Sequence, residues 1–309
     1  MRVDTPGLTR RQALGVLAGA LALPYVDAMA DSAKPIEARL APAAGEKLPL
    51  IGVGTYQTFD VGKNAPERAE LTNVLRTLVK HGGSVVDSSP MYGRAEGVVG
   101  DLAHEAQLHP ALYLATKVWT RGEAAGITQM EDSLRLLRAK RIDLMQVHNL
   151  VDWRTHLKTL TSWKASGRVR HIGITHYHAG AYDELMSVIR TREFSFVQFN
   201  YSLAEREAEQ RLLPLCAELG IGVIINRPFS QGDLFPRVKG KPLPPWAREL
   251  DCTSWAQFFL KWILGHPAVT CVIPGTRRVA HLEDNLGAGR GRFPDAAQRK
   301  RMLEHLNSL

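Results

Sequence analysis

The sequence predicts an α/β protein whose fold class is a (β/α)8 TIM barrel preceded by an N-terminal β-hairpin. From residue 36 onward, eight short runs rich in β-branched and aromatic residues alternate with longer amphipathic stretches. This alternation is typical of parallel strands joined by crossover helices, and eight units suit a closed barrel better than an open sheet. No GxGxxG sequence follows the first run, which weakens the case for a doubly wound sheet. On this pattern alone the doubly wound sheet stays open.

The hairpin is predicted at the start of the pattern. An apolar run at residues 36–40 is followed by Gly45-Glu46-Lys47 and then Leu48-Pro49-Leu50, which indicates two short strands joined by a turn. The eight barrel strands are predicted at residues 50–56, 84–89, 112–118, 142–149, 169–175, 196–201, 222–227 and 270–274.

Helices are predicted between these strands, where apolar residues recur at three- and four-residue spacing. In the clearest stretch, Leu71, Val74, Leu75 and Leu78 share one face. The predicted helices lie at residues 66–80, 131–137, 157–164, 182–189, 205–219, 254–264 and 295–306. The stretch at 254–264 is rich in Trp, Phe and Leu, so we expect it to be well buried.

Composition excludes several classes of function. The chain has 309 residues, of which 45% are hydrophobic and 23% charged, as is ordinary for a globular protein. Its net charge of +8 comes from scattered Lys and Arg, so we expect a solvated basic surface and no nucleic-acid partner. Cys216, Cys252 and Cys271 are too few and too widely spaced for a disulfide framework, and no CxxC pair indicates zinc.

Residues 1–30 are predicted to be a signal peptide of the twin-arginine (Tat) type, which leaves residues 31–309 as the barrel domain. Arg10 and Arg11 follow a threonine and precede a small and apolar run that ends near Pro24. That run is shorter than the roughly twenty residues that cross a bilayer, and Ala28-Met29-Ala30 resembles a cleavage site. We expect export by the Tat machinery, cleavage after Ala30 and a periplasmic product without stable membrane insertion. An uncleaved amphipathic helix is the alternative.

Four titratable side chains lie where three successive predicted strands end. Asp87 is near the end of the second strand, and Tyr92 follows it in the next loop. Lys117 and His148 lie near the ends of the third and fourth strands. Because active groups of a barrel gather at the carboxyl ends of its strands, we expect the four to converge. Taken singly, each has a simpler explanation as a surface ion pair or a structural group.

The chemistry of these four side chains is coherent. A free phenol has a pKa near 10 and is a poor acid at neutral pH, but a nearby ammonium lowers that pKa by favouring the phenolate. Lys117 would supply the ammonium, and Asp87 would hold it charged and in place. His148 would donate a hydrogen bond to a substrate oxygen.

These residues belong to motifs that resemble those of the aldo-keto reductase family, over a region from about Ile36 to Asn285. The motifs are Gly52-Val53-Gly54-Thr55, Asp87-Ser88-Ser89-Pro90-Met91-Tyr92-Gly93, Thr116-Lys117-Val118-Trp119, Ile142-Asp143-Leu144 leading to His148, Gly167-Arg168-Val169-Arg170-His171-Ile172-Gly173 and Ile273-Pro274-Gly275-Thr276. The resemblance implies a (β/α)8 barrel closed at its bottom by a hairpin. It also implies that a nicotinamide cofactor lies across the barrel mouth and that a hydride reduces a small carbonyl substrate. Tyr92 would then be the general acid, tuned by Lys117 and Asp87, with His148 orienting the carbonyl.

The resemblance also implies a cofactor site, in which this chain departs from the common pattern. The family usually holds the nicotinamide amide with a Ser-Asn pair and a Gln, and Thr175, His176 and Gln198 occupy those positions. Asn226 replaces the aromatic residue that stacks on the nicotinamide, and Phe229 is a neighbouring substitute. The other implied cofactor contacts are Gly54, Thr55, Tyr56, Asp87, Pro228, Pro274, Gly275, Thr276, Arg277, Arg278, His281, Asp284 and Asn285.

The implied cofactor is NADPH rather than NADH. Where the family often uses Lys-Ser and a later Arg for the 2′-phosphate, this chain has Gly275-Thr276 followed by Arg277 and Arg278, with His281 at the later place. Guanidinium groups suit a phosphate, which favours NADPH. A solvated helix start is the alternative reading of this arginine pair.

Two other functions stay open, and the substrate cannot be read. A family member could bind NADPH as a redox sensor with little turnover. His148, His176 and His178 with Asp87 could instead be ligands of a metal-dependent barrel hydrolase, whereas the reductase needs no metal. An apolar or aromatic carbonyl is suggested by four aromatic residues that could line a pocket, Tyr56, Trp119, Trp153 and Trp246.

Overall fold

A β-hairpin begins the part of the chain that the computed structural model describes, which consists of Met1 and residues 35–309. Its strands β1 (Ala38–Ala41) and β2 (Glu46–Pro49) pair antiparallel, and Gly45 turns the chain with a φ of 65° that favours glycine. Ala41 and Leu48 are fully buried in one cluster with Val85 and Phe196, which are the first residues of two barrel strands. The hairpin therefore covers the amino-terminal end of the barrel, as predicted. Apart from Met1, the predicted signal peptide lies outside the described residues.

Eight parallel strands form the barrel wall, and each pairs with its neighbour in sequence. This order confirms the predicted fold class, because each crossover passes through a helix on the outside. The strands are β3 (Val53–Gly54), β4 (Val85–Asp87), β5 (Tyr113–Val118), β6 (Ile142–His148), β7 (Val169–Thr175), β8 (Phe196–Asn200), β9 (Gly222–Asn226) and β10 (Cys271–Val272).

The barrel closes where β10 meets β3. Two parallel bridges cross this seam, from Ile51 to Val272 and from Gly54 to Gly275. Gly54 suits the seam because a Cβ at that position would lie 2.8 Å from the carbonyl oxygen of Ile273. Isolated bridges rather than a continuous ladder join the two edges, so β3 and β10 are shorter than the predicted strands at 50–56 and 270–274.

Ten α-helices lie among the described residues, and those of the barrel pack one apolar face inward. On the first of them, Leu71, Val74, Leu75 and Leu78 are all fully buried, as their spacing predicts. The helices are α1 (Glu67–Lys80), α2 (Ala95–Glu105), α3 (Glu123–Leu136), α4 (Trp153–Ala165), α5 (Tyr182–Ile189), α6 (Leu212–Leu219), α7 (Leu234–Val238), α8 (Trp255–Leu264), α9 (Val279–Gly287) and α10 (Ala296–Asn307). Within residues 35–309, no helix combines the length and the apolar character needed to cross a membrane.

Side-chain caps explain two of the helix starts. Ser254 Oγ accepts the N–H of Gln257 at 3.1 Å and begins α8, while Asp295 and Gln298 form a reciprocal capping box at the start of α10. The helix predicted at 205–219 begins later, at Leu212. The preceding segment instead contains a turn, in which Ser202 Oγ accepts backbone N–H groups, and a short 3-10 helix at Glu207–Glu209.

Candidate active site

Three neighbouring strands bring Asp87, Lys117 and His148 together. Asp87 is the last residue of β4, Lys117 is the penultimate residue of β5, and His148 is the last residue of β6. Tyr92 lies in the turn after β4, where its N–H donates to the carbonyl oxygen of Ser89 at 3.0 Å. All four residues predicted to be catalytic therefore lie at the carboxyl end of the barrel, where its loops can form a site.

The ion pair between Lys117 and Asp87 is the buried centre of this site. Lys117 Nζ donates to Asp87 Oδ2 at 2.6 Å and to the carbonyl oxygen of Ser88 at 2.7 Å, and neither side chain of the pair is more than 3% exposed. Asp87 Oδ1 accepts two amide N–H groups, from Gln146 at 3.0 Å and from Gln198 at 2.9 Å. Burying an ion costs roughly several kcal/mol unless its polar atoms find partners, and these bonds supply them.

Gln146 is a site residue that the sequence analysis missed. It lies two residues before His148 on β6, so the two side chains point to the same side of the strand. Its neighbour on β7 is Gly173, where a Cβ would lie 3.2 Å from Gln146 Cγ and 3.1 Å from the carbonyl oxygen of Phe196. The absent side chain of Gly173 makes room for the amide. Counting back by two from His148 is the signal that could have found Gln146.

The charge of Lys117 acts on the phenol of Tyr92, since Nζ lies 4.9 Å from the centroid of the tyrosine ring. Burial raises the pKa of Tyr92, and Lys117 lowers it by a smaller amount, so the pKa lies above its usual value. The lowering expected from the sequence is therefore outweighed by desolvation, and Tyr92 holds its proton at neutral pH. Burial disfavours the charge of Lys117, but Asp87 and Tyr92 together raise its pKa, so the ammonium is retained.

His148 is a neutral hydrogen-bonding group in this structure. Burial, aided by the positive charge of Lys117, lowers the pKa of His148 to about 2. Its Nδ1 atom lies 3.2 Å from Ser89 Oγ, and its ring meets the Tyr92 ring edge to face with centroids 6.1 Å apart. A neutral imidazole keeps one N–H, which can donate to an oxygen atom of a bound molecule.

The residues predicted to hold the nicotinamide amide bond to one another. Thr175 Oγ1 donates to Gln198 Oε1 at 3.1 Å, while the amide nitrogen of Gln198 donates to Asp87. Asn226 Nδ2 donates to the carbonyl oxygen of His176 at 2.9 Å and to Gln198 Oε1 at 3.3 Å. Asn226 Oδ1 is buried and has no partner among the described residues. This network joins the ends of β7, β8 and β9 to Asp87 and leaves Asn226 Oδ1 without a partner among the described residues.

Aromatic rings near these strand ends come from loops rather than from β9. The Phe229 ring, the predicted substitute for the stacking residue, lies 5.0 Å from that of Phe235. The His176 ring stacks on the Tyr177 ring with centroids 5.3 Å apart. The guanidinium of Arg227 lies 4.5 Å from the centroid of the Tyr177 ring. Burial lowers the pKa of His176 to about 4, so this imidazole is also neutral at pH 7.

The loop after β10 carries the arginines predicted to bind phosphate. Thr276 Oγ1 accepts the N–H of Arg278 at 3.1 Å, and Arg277 donates to the carbonyl oxygen of Gln57 at 3.0 Å. The side chains of Arg278 and His281 are exposed and form no hydrogen bond or ion pair within residues 35–309. Their donor groups therefore remain available to an anion.

The other predicted cofactor contacts differ in what they touch in the folded chain. Thr55 is buried, and its Oγ1 donates to the carbonyl oxygen of Asp87 at 3.0 Å. Both carboxylate oxygens of Asp284 are occupied, by Ser254 Oγ at 2.7 Å and by Gln257 Nε2 at 2.8 Å, and so join α9 to the start of α8. Of the remainder, Tyr56 and Gly275 are exposed, Gly54 is half-buried, and Pro228, Pro274 and Asn285 are buried.

Comparison with known proteins assigns this chain to a family. The model of the Aldo/keto reductase family matches residues 50–300, which is most of the chain. The chain belongs to this family. It is 27% identical over 245 residues to a methylglyoxal reductase of Escherichia coli (strain K12), covering 77% of this chain and 84% of that protein. It is 25% identical over 235 residues to a glyoxal reductase of Bacillus subtilis (strain 168), covering 73% and 78% of the two chains.

Solved aldo/keto reductases share the fold. One from Klebsiella pneumoniae, in complex with NADP and acetate, superposes with a TM-score of 0.70 at 24% identity, covering 85% of this chain and 93% of that chain. Another from the same organism, in complex with NADPH, gives a TM-score of 0.71 at 24% identity, covering 88% and 95%. At this level of identity the likeness supports the (β/α)8 architecture.

Exposed aromatic side chains border the tetrad of this aldo/keto reductase. Tyr56 is 51% exposed, and its ring lies 5.0 Å from that of Tyr92. Trp119 is 41% exposed and lies 6.1 Å from the His148 ring. Two of the four predicted pocket residues therefore lie beside Tyr92 and His148 and offer apolar surface to a ligand.

The two remaining predicted pocket residues pack elsewhere in the reductase. The Trp153 ring contacts Phe194 at a centroid distance of 6.2 Å. The Trp246 ring lies 5.8 Å from Phe258 and is covered by the Arg301 guanidinium at 4.2 Å. Both rings pack against neighbouring side chains of the protein.

The histidines considered as metal ligands are arranged as ring contacts. His176 and His178 meet edge to face with centroids 4.4 Å apart, and His148 faces Tyr92. Within residues 35–309, no group of three or more His, Cys, Asp or Glu side chains is placed to hold a metal ion.

We expect the free energy of unfolding of this reductase to decrease as the pH is lowered, and His148 accounts for part of that decrease. Its folded-state pKa of about 2 lies below the ordinary value of 6.5, so the unfolded chain binds an extra proton between these limits. Stability is therefore lost as pH falls below about 6.5, by up to about 1.4 kcal/mol per pH unit for this histidine. Urea unfolding at pH 7, 6 and 5 measures the slope. In the His148→Gln variant, the free energy of unfolding should change less steeply with pH, by up to about 1.4 kcal/mol per pH unit. Equal slopes in the two proteins would contradict the lowered pKa of His148.

Proposed function

We propose that this aldo/keto reductase is an NADPH-dependent enzyme that reduces an aldehyde or ketone to an alcohol, with Tyr92 as the proton donor. The observation that carries the proposal is the buried Lys117–Asp87 pair, whose ammonium lies 4.9 Å from the Tyr92 ring. A protonated phenol beside a fixed positive charge is an acid whose conjugate base is stabilised at the moment it forms.

Each of the four residues has a separate role in the proposed reaction. Tyr92 is protonated before reaction, because burial raises its pKa, and it donates to the carbonyl oxygen. Lys117 stabilises the phenolate that results, and Asp87 keeps the ammonium charged through the 2.6 Å bond. His148, which is neutral, donates a second hydrogen bond to the same oxygen and orients the carbonyl.

The residues around the tetrad fit a nicotinamide dinucleotide. The unpaired donors of Arg278 and His281, together with Arg277, suit the 2′-phosphate of NADPH. Asn226 Oδ1, buried and without a partner among the described residues, is an acceptor that a carboxamide N–H would satisfy after a small side-chain movement. When bound, NADPH supplies the hydride that reduces the carbonyl carbon.

The proposed activity is tested by following NADPH consumption with a panel of aldehydes and ketones. We expect turnover, with apolar and aromatic carbonyls preferred because Tyr56 and Trp119 border the site. Methylglyoxal and glyoxal belong in the panel because two relatives are named as reductases of these compounds. Nucleotide binding without turnover on any carbonyl would favour the redox-sensor alternative, and absence of both would contradict the proposal.

Cofactor preference tests the arginine loop. In the variant Arg277→Ser/Arg278→Ser, the Kd for NADPH should rise about 10- to 100-fold, because charge-assisted bonds to the 2′-phosphate are lost. The Kd for NADH should stay the same, and fluorescence titration measures both. Arg135→Ser is the matched control, since this exposed arginine of α3 pairs with Asp132. Equal affinity of the unmodified protein for the two cofactors would exclude the proposed role of the pair.

We also propose that residues 1–30 direct export through the Tat machinery to the periplasm. Their twin arginines, short apolar run and Ala28-Met29-Ala30 support this. The Tat route carries folded proteins, so the enzyme would leave the cytoplasm with its cofactor bound. Sequencing the amino terminus of protein from the cell envelope should find Asp31 first, and recovery of Met1 would contradict cleavage. Nucleotide should be present in periplasmic protein, and its absence would contradict export of the loaded enzyme.

A further inference from the structure

Ser89 contacts both the proposed proton donor and the histidine that orients the carbonyl. Its side chain is fully buried, and its Oγ atom lies 3.2 Å from Nδ1 of His148. The same Oγ accepts the backbone N–H of Met91 at 3.4 Å. Its carbonyl oxygen accepts the N–H of Tyr92 at 3.0 Å. One serine thus joins the turn that carries the acid to the end of β6.

The direction of the bond between Ser89 and His148 follows from counting hydrogens. The Met91 N–H is always a donor, so it occupies a lone pair of Ser89 Oγ and leaves the hydroxyl hydrogen to find an acceptor. His148 Nδ1 is the remaining hydrogen-bond partner of that oxygen among the described residues. If Nδ1 carried a hydrogen, the buried hydroxyl would be an unsatisfied donor, which is unfavourable. Ser89 therefore donates, and Nδ1 accepts.

An accepting Nδ1 determines what the other nitrogen can do. A neutral imidazole carries one hydrogen, so the hydrogen of His148 lies on Nε2 when Nδ1 accepts. In the opposite tautomer, Nε2 would be an acceptor and would repel a carbonyl oxygen instead of polarising it. Because His148 does not gain a second proton at working pH, its function depends on which tautomer is populated.

We propose that Ser89 is a positioning residue that selects the Nε2–H tautomer of His148 and thereby keeps an N–H donor available for the substrate carbonyl. The proposal rests on the reductase function proposed above. It gives a role to a buried hydroxyl whose hydrogen-bond partners among the described residues are His148 and the Met91 N–H, and it couples the orientation of His148 to that of Tyr92 through the same residue. No covalent step is added to the reaction.

The test compares Ser89→Ala with the unmodified full chain labelled with ¹⁵N-histidine. The chain has 11 histidines, and the His148→Asn spectrum identifies the His148 signals. In the unmodified protein we expect Nδ1 to give the signal of an unprotonated ring nitrogen and Nε2 that of an N–H. In Ser89→Ala the two tautomers should mix, and kcat should fall about 10- to 100-fold because a donor to the developing oxyanion is partly lost. The KM for NADPH should stay unchanged, and Ser89→Thr, which keeps the hydroxyl, should recover turnover.

Ser195→Ala is the matched control, since Ser195 is also buried but immediately precedes β8 at the opposite end of the barrel. It should change neither the His148 signals nor kcat. An Nδ1–H signal in the unmodified protein, or an unchanged tautomer and unchanged kcat in Ser89→Ala, would overturn the proposal. A fall in kcat with an unchanged tautomer would also overturn it, by assigning Ser89 a structural role. The spectra require no turnover, so an inactive protein would contradict the reductase function while the tautomer result stands separately.

Discussion

Replacing Tyr92 with phenylalanine is expected to abolish carbonyl reduction while leaving NADPH affinity nearly unchanged. The variant keeps the ring that packs against Tyr56 and His148 and removes the hydroxyl that we propose donates the proton. Loss of a positioned general acid lowers the rate by about 10²- to 10⁴-fold. Steady-state turnover measures the loss, and fluorescence titration with NADPH shows that the site is still formed.

Tyr113→Phe is the matched control for this experiment. Tyr113 is also buried, at the start of β5, and its hydroxyl has no hydrogen-bond partner among the described residues. Deleting that hydroxyl should leave turnover unchanged and stability unchanged or higher, because an unsatisfied buried donor is removed. Full activity in Tyr92→Phe would exclude Tyr92 as the acid, whatever the control shows.

Replacing Lys117 with methionine is expected to lower both stability and turnover. The substitution leaves Asp87 buried with its Oδ2 atom unpaired, which costs about 3–5 kcal/mol of unfolding free energy. It also removes the positive charge near Tyr92, so the phenolate formed by proton donation is no longer stabilised. Urea unfolding measures the first effect, and turnover per folded molecule measures the second.

Two further variants separate these effects. Adding Asp87→Asn to Lys117→Met should restore part of the stability, because no buried charge remains, but should not restore turnover. Lys261→Met is the matched control. Lys261 is also fully buried, and its Nζ donates to the carbonyl oxygens of Arg290 and Arg292. It should lose stability while keeping its turnover per folded molecule. A Lys117→Met protein with unchanged turnover would contradict the proposed role of the ammonium.

Two predicted elements agree with the structure at both ends. Strand β7 (Val169–Thr175) and helix α5 (Tyr182–Ile189) match their predictions residue for residue. Helices α2, α7 and α9 were not predicted, and α7 has only five residues. Gly97 and Gly100 lower the helix propensity of α2, and α9 has a short buried face of Leu282, Asn285 and Leu286. Both helices depend on packing against the rest of the barrel more than on local pattern.

The candidate site divides in the same way. The convergence of the four residues predicted to be catalytic followed from the sequence, because each lies near or just after a strand end and parallel strands end at one face of a barrel. Ser89, Gln146 and the bonding of Asp284 were not predicted. Their roles depend on partners 59, 59 and 27–30 positions away in the sequence, respectively. The strand period places Gln146 on the same side of β6 as His148, but it does not specify which atoms these three side chains bond to.

The sequence by itself determined the alternation of strands and helices, the family motifs and the convergence of Asp87, Tyr92, Lys117 and His148. Only the tertiary structure decided the protonation chemistry at that convergence. Burial raises the pKa of Tyr92 against the pull of Lys117 and lowers the pKa of His148 to about 2. Both results depend on how much water the closed barrel excludes, which strand spacing and residue type do not specify. The tertiary structure also shows that Gln198, which was predicted to hold the cofactor, donates a hydrogen bond to Asp87.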